Sequence, residues 1–154
     1  MAVTENLMKY KRLYQIAQQI DHDTSDFFTN NKGAGKGDRF VHAFMKQVRS
    51  QATHEFQNDY SEQCICGNNR FAVDFYFPDE ETIVEIALTL KNSNSEFYKD
   101  IFKAALSQRI GKAVQRLVFI SKPGAKKRHS EPASEEIKKL AGEVFKLSIE
   151  ILEL

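Results

Sequence analysis

Residues 71–92, FAVDFYFPDEETIVEIALTLKN, form two apolar runs joined by a Pro-Asp-Glu turn, each interrupted at its centre by one carboxylate. In the first run Phe71, Val73, Phe75 and Phe77 alternate with Ala72, Asp74 and Tyr76. In the second, Val84, Ile86, Leu88 and Leu90 alternate with Glu85, Ala87, Thr89 and Lys91. A period of two marks a strand, and strands this close in sequence pair as a hairpin. Asp74 and Glu85 then fall on the same sheet face. A lone carboxylate among Phe, Val and Ile costs on the order of several kcal/mol to desolvate unless something compensates it. Two such acids side by side most simply share a cation, which makes them candidate ligands of a divalent metal. The competing reading pairs each acid with a base such as Arg70 or Arg109 in a structural network.

The rest of the chain supplies elements to flank these strands. Leu7, Tyr10, Leu13, Tyr14, Ala17 and Ile20 recur at helical spacing, predicting a helix from Glu5 to about Ile20 with Thr4 as its cap. A polar stretch with Gly33, Gly35 and Gly37 follows. Asp38 then caps a second helix to about Thr53, with Phe40, Val41, Phe44 and Val48 as its buried stripe. A further strand is expected within Phe56–Cys66. A helix begins near Ser95 and buries Phe97, Ile101, Ala104, Ala105 and Ile110. Arg116–Ser121 is a short apolar strand of the kind that lies inside a sheet. Ser134 to about Val144 is helical, and Phe145, Leu147, Ile149 and Ile151 alternate as a last strand. The order α-α-β-β-β-α-β-α-β is that of an α/β sandwich on a mixed central sheet.

With 154 residues, 42% of them hydrophobic, residues 1–154 make one domain, with 1–30 as an N-terminal helical extension. Cys64 and Cys66 are too few and too close for a disulfide framework, and no second pair of ligands completes a zinc site. With no signal peptide and no membrane-spanning run, a cytoplasmic location and no membrane partner are expected. The net charge of +1 hides local asymmetry. Lys32, Lys36, Arg39, Lys46 and Arg49 stand against Asp38 alone, and Lys122, Lys126, Lys127 and Arg128 stand against no acid. Two basic loops flanking a pair of acids suit a polyanion such as DNA, and Lys32, Lys36, Arg39, Lys126, Lys127 and Arg128 are the candidate phosphate contacts. The Gly-rich stretch GAGKGD lacks the spacing and the Ser or Thr of a P-loop, which excludes a nucleotide cofactor held that way. The four histidines are scattered and form no base–nucleophile pair; Glu55 is a further candidate carboxylate for the metal.

The element order, with Asp74 on one core strand and Glu85 on the next, resembles the PD-(D/E)xK nuclease superfamily, which includes restriction endonucleases, Holliday junction resolvases and repair nucleases. The resemblance runs from Asp38 onward and implies a restriction-endonuclease-like fold. It also implies Asp74 and Glu85 as catalytic magnesium ligands, with the Ile86 carbonyl as a third protein ligand and manganese as a substitute ion. The implied activity is hydrolysis of DNA phosphodiester bonds by metal-activated water. The family lysine two residues after the second acid is replaced here by Ala87. Lys91 lies roughly 20 Å from the acid along the strand if measured over six residues, and Lys99 and Lys103 are expected to face solvent or substrate on the far side of their helix. Ala87 favours the alternative of a catalytically decayed module that binds DNA or a protein partner. Cutting both strands of a duplex calls for two copies of so small a chain, so a homodimer is expected, with the Glu5–Ile20 helix as candidate dimer element.

Overall fold

The computed structural model describes residues 6–24, 39–88 and 93–154. Its elements are α1 (Lys9–Asp23), α2 (Arg39–Phe56), β1 (Ser61–Gln63), β2 (Val73–Phe77), a 3-10 turn (Pro78–Glu80), β3 (Thr82–Ala87), α3 (Ser93–Arg109), β4 (Arg116–Ser121), a single-turn helix α4 (Ala125–Arg128), α5 (Pro132–Phe145) and β5 (Ser148–Glu153). Apart from α4 this is the expected order. The Thr4 and Asp38 caps, the glycine loop with Lys32 and Lys36, and Thr89, Leu90 and Lys91 lie outside the described residues.

Each strand pairs with its neighbours in sequence, giving a sheet of order β1-β2-β3-β4-β5. The tight Pro78–Glu80 connection makes β2 and β3 antiparallel, as are β1 and β2, whereas the helical crossovers through α3 and α5 make β3, β4 and β5 parallel. Successive crossovers of one hand travelling one way leave both helices on the same face. Phe97, Ile101 and Ala104 of α3 and Ala141 of α5 accordingly pack with Tyr76, Ile83, Leu117 and Phe119. The opposite face holds Phe75, Phe77, Val84, Val118 and Ile120 against α1 and α2. The period-two reading assigns Phe75, Phe77, Tyr76 and Ile83 to these layers, but Val73, expected beside Phe75, packs in the α3–α5 layer.

Several expectations are corrected. The first strand shrinks to three residues, because α2 continues to Phe56 and the Asp59 carboxylate then accepts the Ser61 backbone N–H at 2.9 Å, turning the chain. Phe40 is exposed, with the Arg39 guanidinium 4.9 Å over its ring, and the stripe is completed by Met45 and Ala52 instead. Ile110 lies past the end of α3, where Gly111 takes a left-handed φ of 91°, and is exposed. The dimer role of the first helix also fails. Tyr10, Leu13, Ile16, Ala17 and Ile20 are buried inside the chain against α2 and the sheet, so no apolar stripe is left over for a partner. Glu80 fixes the start of α1, accepting the Lys9 and Tyr10 N–H groups at 2.6 and 3.2 Å. Among the described residues no helix is long and apolar enough to cross a membrane.

If α1 is half of a core layer, Leu13→Ala, at a position with no exposed surface, should cost about 2–5 kcal/mol in urea unfolding. Leu140→Ala, on the outer side of α5, should change stability by less than about 0.5 kcal/mol. Equal small effects would show that α1 contributes little to the fold.

Candidate functional site

Where β2 and β3 meet, the ladder runs through the pairs Phe77–Thr82, Tyr76–Ile83 and Phe75–Val84 and goes no further. The next residues on the two strands are Asp74 and Glu85. Here the Asp74 side chain takes over the role of a backbone acceptor: its Oδ2 accepts the Ile86 N–H at 2.8 Å. β3 meanwhile stays paired with β4 through Ala87. The two strands part at this point, and a cavity of about 580 Å³ opens beside the carboxyl end of β3.

Asp74 and Glu85 both line it, with Ile86, Ala87 and Leu88, as the hairpin argument requires. One wall is α2, whose Val41, His42, Met45 and Arg49 lie at helical spacing. The other is the first half of α3, with Glu96, Lys99, Asp100 and Lys103, and the segment Arg70–Ala72 closes the remaining side. The interior is the buried part, formed by Glu85, Asp100, Lys103, Met45 and Leu88, while His42, Arg70 and Phe71 are exposed at the mouth.

Lys103 organises that interior. Its ammonium lies 2.7 Å from Glu85 Oε1 and 3.1 Å from Asp100 Oδ1, and donates to the Ala72 carbonyl at 2.8 Å. Glu85 Oε1 is thus buried with the Lys103 ammonium against it. The expectation that Lys103 faces away is corrected. It was drawn from Ile101, but α3 is buried on two adjoining faces. Asp100, Lys103 and Ser107 recur at helical spacing as a buried polar stripe beside Phe97, Ile101 and Ala104. Lys99 also lines the cavity, with its ammonium 3.1 Å from Glu96.

Electrostatics follow from the burial of Glu85 and Asp100 against one ammonium, with the half-buried Asp74 beside them in the cavity lining. Desolvation, then the charges of Asp74 and Asp100, raise the Glu85 carboxyl well above its ordinary range against the pull of Lys103. Burial likewise lifts Asp100 from 3.8 to about 6, with Lys103 opposing and Asp74 and Glu96 adding to the rise. Burial alone would lower Lys103, but Glu85 and Asp100 outweigh it and hold the ammonium protonated above its usual 10.5.

The other candidates are dispersed. Glu55 pairs with Arg12 at 2.7 Å on the far surface and does not line the cavity, so it is no metal carboxylate. Glu85 is partnered by neither Arg70 nor Arg109; its partner is Lys103. Cys64 is exposed and Cys66 buried beside the Ser107 hydroxyl. Arg39 begins α2, three residues before His42. Lys126 and Lys127 are exposed on α4 at the same end of the parallel strands, but neither they nor Arg128 line the cavity. His129, read as part of a basic loop, is buried with its ring stacked 4.3 Å from Phe97. Among the described residues, no three His, Cys, Asp or Glu side chains converge as a preformed metal cage would. The fold and site define a mixed α/β protein with a charged cavity at the end of a parallel strand. No family model, curated protein or solved structure matches the chain.

Because Asp100 binds its proton more readily folded than unfolded, it contributes stability at acid pH that is lost as pH rises from about 4 to about 6. Relief of Glu85 acts in the same direction. The unfolding free energy of the native chain minus that of Asp100→Asn should therefore fall by about 1–3 kcal/mol between pH 4 and 7. A flat difference would mean that Asp100 is not held in this buried cluster.

Proposed function

We propose that the chain is a magnesium-dependent endodeoxyribonuclease of the PD-(D/E)xK kind, with a restriction-endonuclease-like fold and the motif lysine supplied by α3. The observation that carries this reading is the Lys103 ammonium 2.7 Å from Glu85, inside a cavity that Asp74 also lines. Ala87 stands where the strand would carry that lysine, and Lys103 brings the same charge to the same acid from the neighbouring helix. The donor set fits a hard divalent ion: the carboxylates of Asp74 and Glu85 line one cavity with Ile86. Asp74, Glu85 and the Ile86 carbonyl would hold it. A bound magnesium or manganese would supply Lewis-acid activation of water and neutralise charge on a phosphate.

The chain's own groups have separable tasks. Asp74 is kept in one orientation by the Ile86 N–H. Lys103 stays protonated, so it acts as a fixed positive charge for the phosphate and not as a base. Arg39 and the exposed Lys126 and Lys127 would contact the flanking phosphates of a strand. Ala87, at the position where the family carries its lysine, favours a second reading, a module that binds DNA or a protein without cutting. A homodimer would serve either reading and would have to use a surface other than the apolar face of α1.

Nicking of supercoiled plasmid in magnesium or manganese separates the two. Asp74→Asn, Glu85→Gln and Lys103→Met should each lower the rate on the order of a hundredfold or more, with folding verified by circular dichroism. DNA binding with no metal-dependent nicking by the native chain would leave the binding module.

A further inference from the structure

We infer that the cavity accepts one unstacked nucleotide of a DNA strand, with Phe71 as its stacking platform, so that the substrate is single-stranded or locally unpaired DNA. This deepens the nuclease reading and rests on it for the ligand being DNA.

Depth is the first reason. Glu85 is 4% exposed, so a phosphate reaches it only if the strand itself enters. A cavity of about 580 Å³ has the size of a small-molecule site; it admits a nucleotide and excludes a stacked duplex. The phosphates of a stacked duplex lie on its outside and would stop at the mouth, so contact with Glu85 needs the strand to unstack locally and enter.

Phe71 is the second. Its sequence pattern places it in a strand core, yet it precedes β2 and is 45% exposed at the cavity mouth. Its backbone is nevertheless held on both sides. Asn69 Oδ1 accepts the Phe71 N–H at 2.8 Å while Asn69 Nδ2 donates to the Cys66 carbonyl, and the Ala72 carbonyl is held by Lys103 at 2.8 Å. An exposed aromatic ring on a pinned segment beside a charged pocket suits base stacking, which is tolerant of base identity.

The third reason is the charge around it. Arg70 adjoins the ring at the mouth. Across the cavity, Arg49 pairs through Nη2 with Glu62 at 3.2 Å, while its buried Nε has no hydrogen-bond partner among the described residues. Cations on opposite walls of the mouth suit the backbone phosphates on either side of the nucleotide that enters.

The chain contains no tryptophan, so Phe71→Trp places a single reporter at the mouth. In EDTA, an oligo(dT) of about twelve nucleotides should quench its emission saturably, and a blunt duplex of equal length should not. By fluorescence anisotropy of labelled oligo(dT), Phe71→Ala should weaken binding about tenfold and Phe71→Tyr should restore it. Equal affinity of the native and Phe71→Ala chains, quenching by duplex as strong as by oligo(dT), or no binding of oligo(dT) would each overturn the inference. Phe71-dependent binding without metal-dependent nicking would sink the nuclease reading and leave this subsite standing. Efficient cutting of intact duplex with Phe71→Ala neutral would do the reverse.

Discussion

Glu85, Asp100 and the Lys103 ammonium share the buried end of β3, and the arrangement around them follows from how Lys103 is used. An ammonium has three donor directions. Here they reach Glu85 on β3, Asp100 one turn back on α3, and the Ala72 carbonyl on the segment entering β2. Three pieces of chain far apart in sequence are therefore tied at one atom. The desolvation cost of such a group is large, and it raises Glu85 and Asp100 against the pull of the ammonium. A cluster built only for stability would be better served by apolar side chains of similar volume.

Much of the fold was legible because two periods dominate the chain. Arg116–Ser121 was predicted to the residue as β4, and Phe75, Phe77, Tyr76 and Ile83 divide between the two layers as alternation requires. Asp74 and Glu85 were legible as a pair for the same reason. What escaped was set by tertiary contact. The start of α1 is fixed by Glu80, about seventy residues away in sequence, as no local cap pattern could reveal. Lys103 escaped because the helix was read as having one buried face. The signal was present in Asp100, Lys103 and Ser107, a polar stripe at helical spacing that a solvated face does not need. Phe71 escaped because a period-two pattern does not say where the pairing stops.

That stopping point matters more than the strands themselves. A backbone ladder continued past Phe75–Val84 would close β2 onto β3 and fill the space between them. Asp74 prevents it by offering its own carboxylate to the Ile86 N–H, which satisfies the donor while holding the strands apart. The same side chain that lines the cavity also keeps it open. Its second oxygen is left for whatever else the cavity holds.

Moving the positive charge from position 87 to α3 has a consequence for geometry. A lysine on β3 would extend from the same rigid ladder as Glu85 and would be independent of what flanks β2. A lysine on α3 depends on how the helix leans on the sheet, through Phe97, Ile101 and Ala104, and it shares its ammonium with the Ala72 carbonyl. Position of the charge at Glu85 and position of the chain at Phe71 are thereby linked through one side chain. A strand that pulls on the Phe71 segment also pulls on the hydrogen bond that helps to hold Lys103 in place. In the reading advanced here, contact with a nucleotide at the mouth and the charge presented to its phosphate in the interior are two ends of a single short connection, made by Ala72 and Lys103.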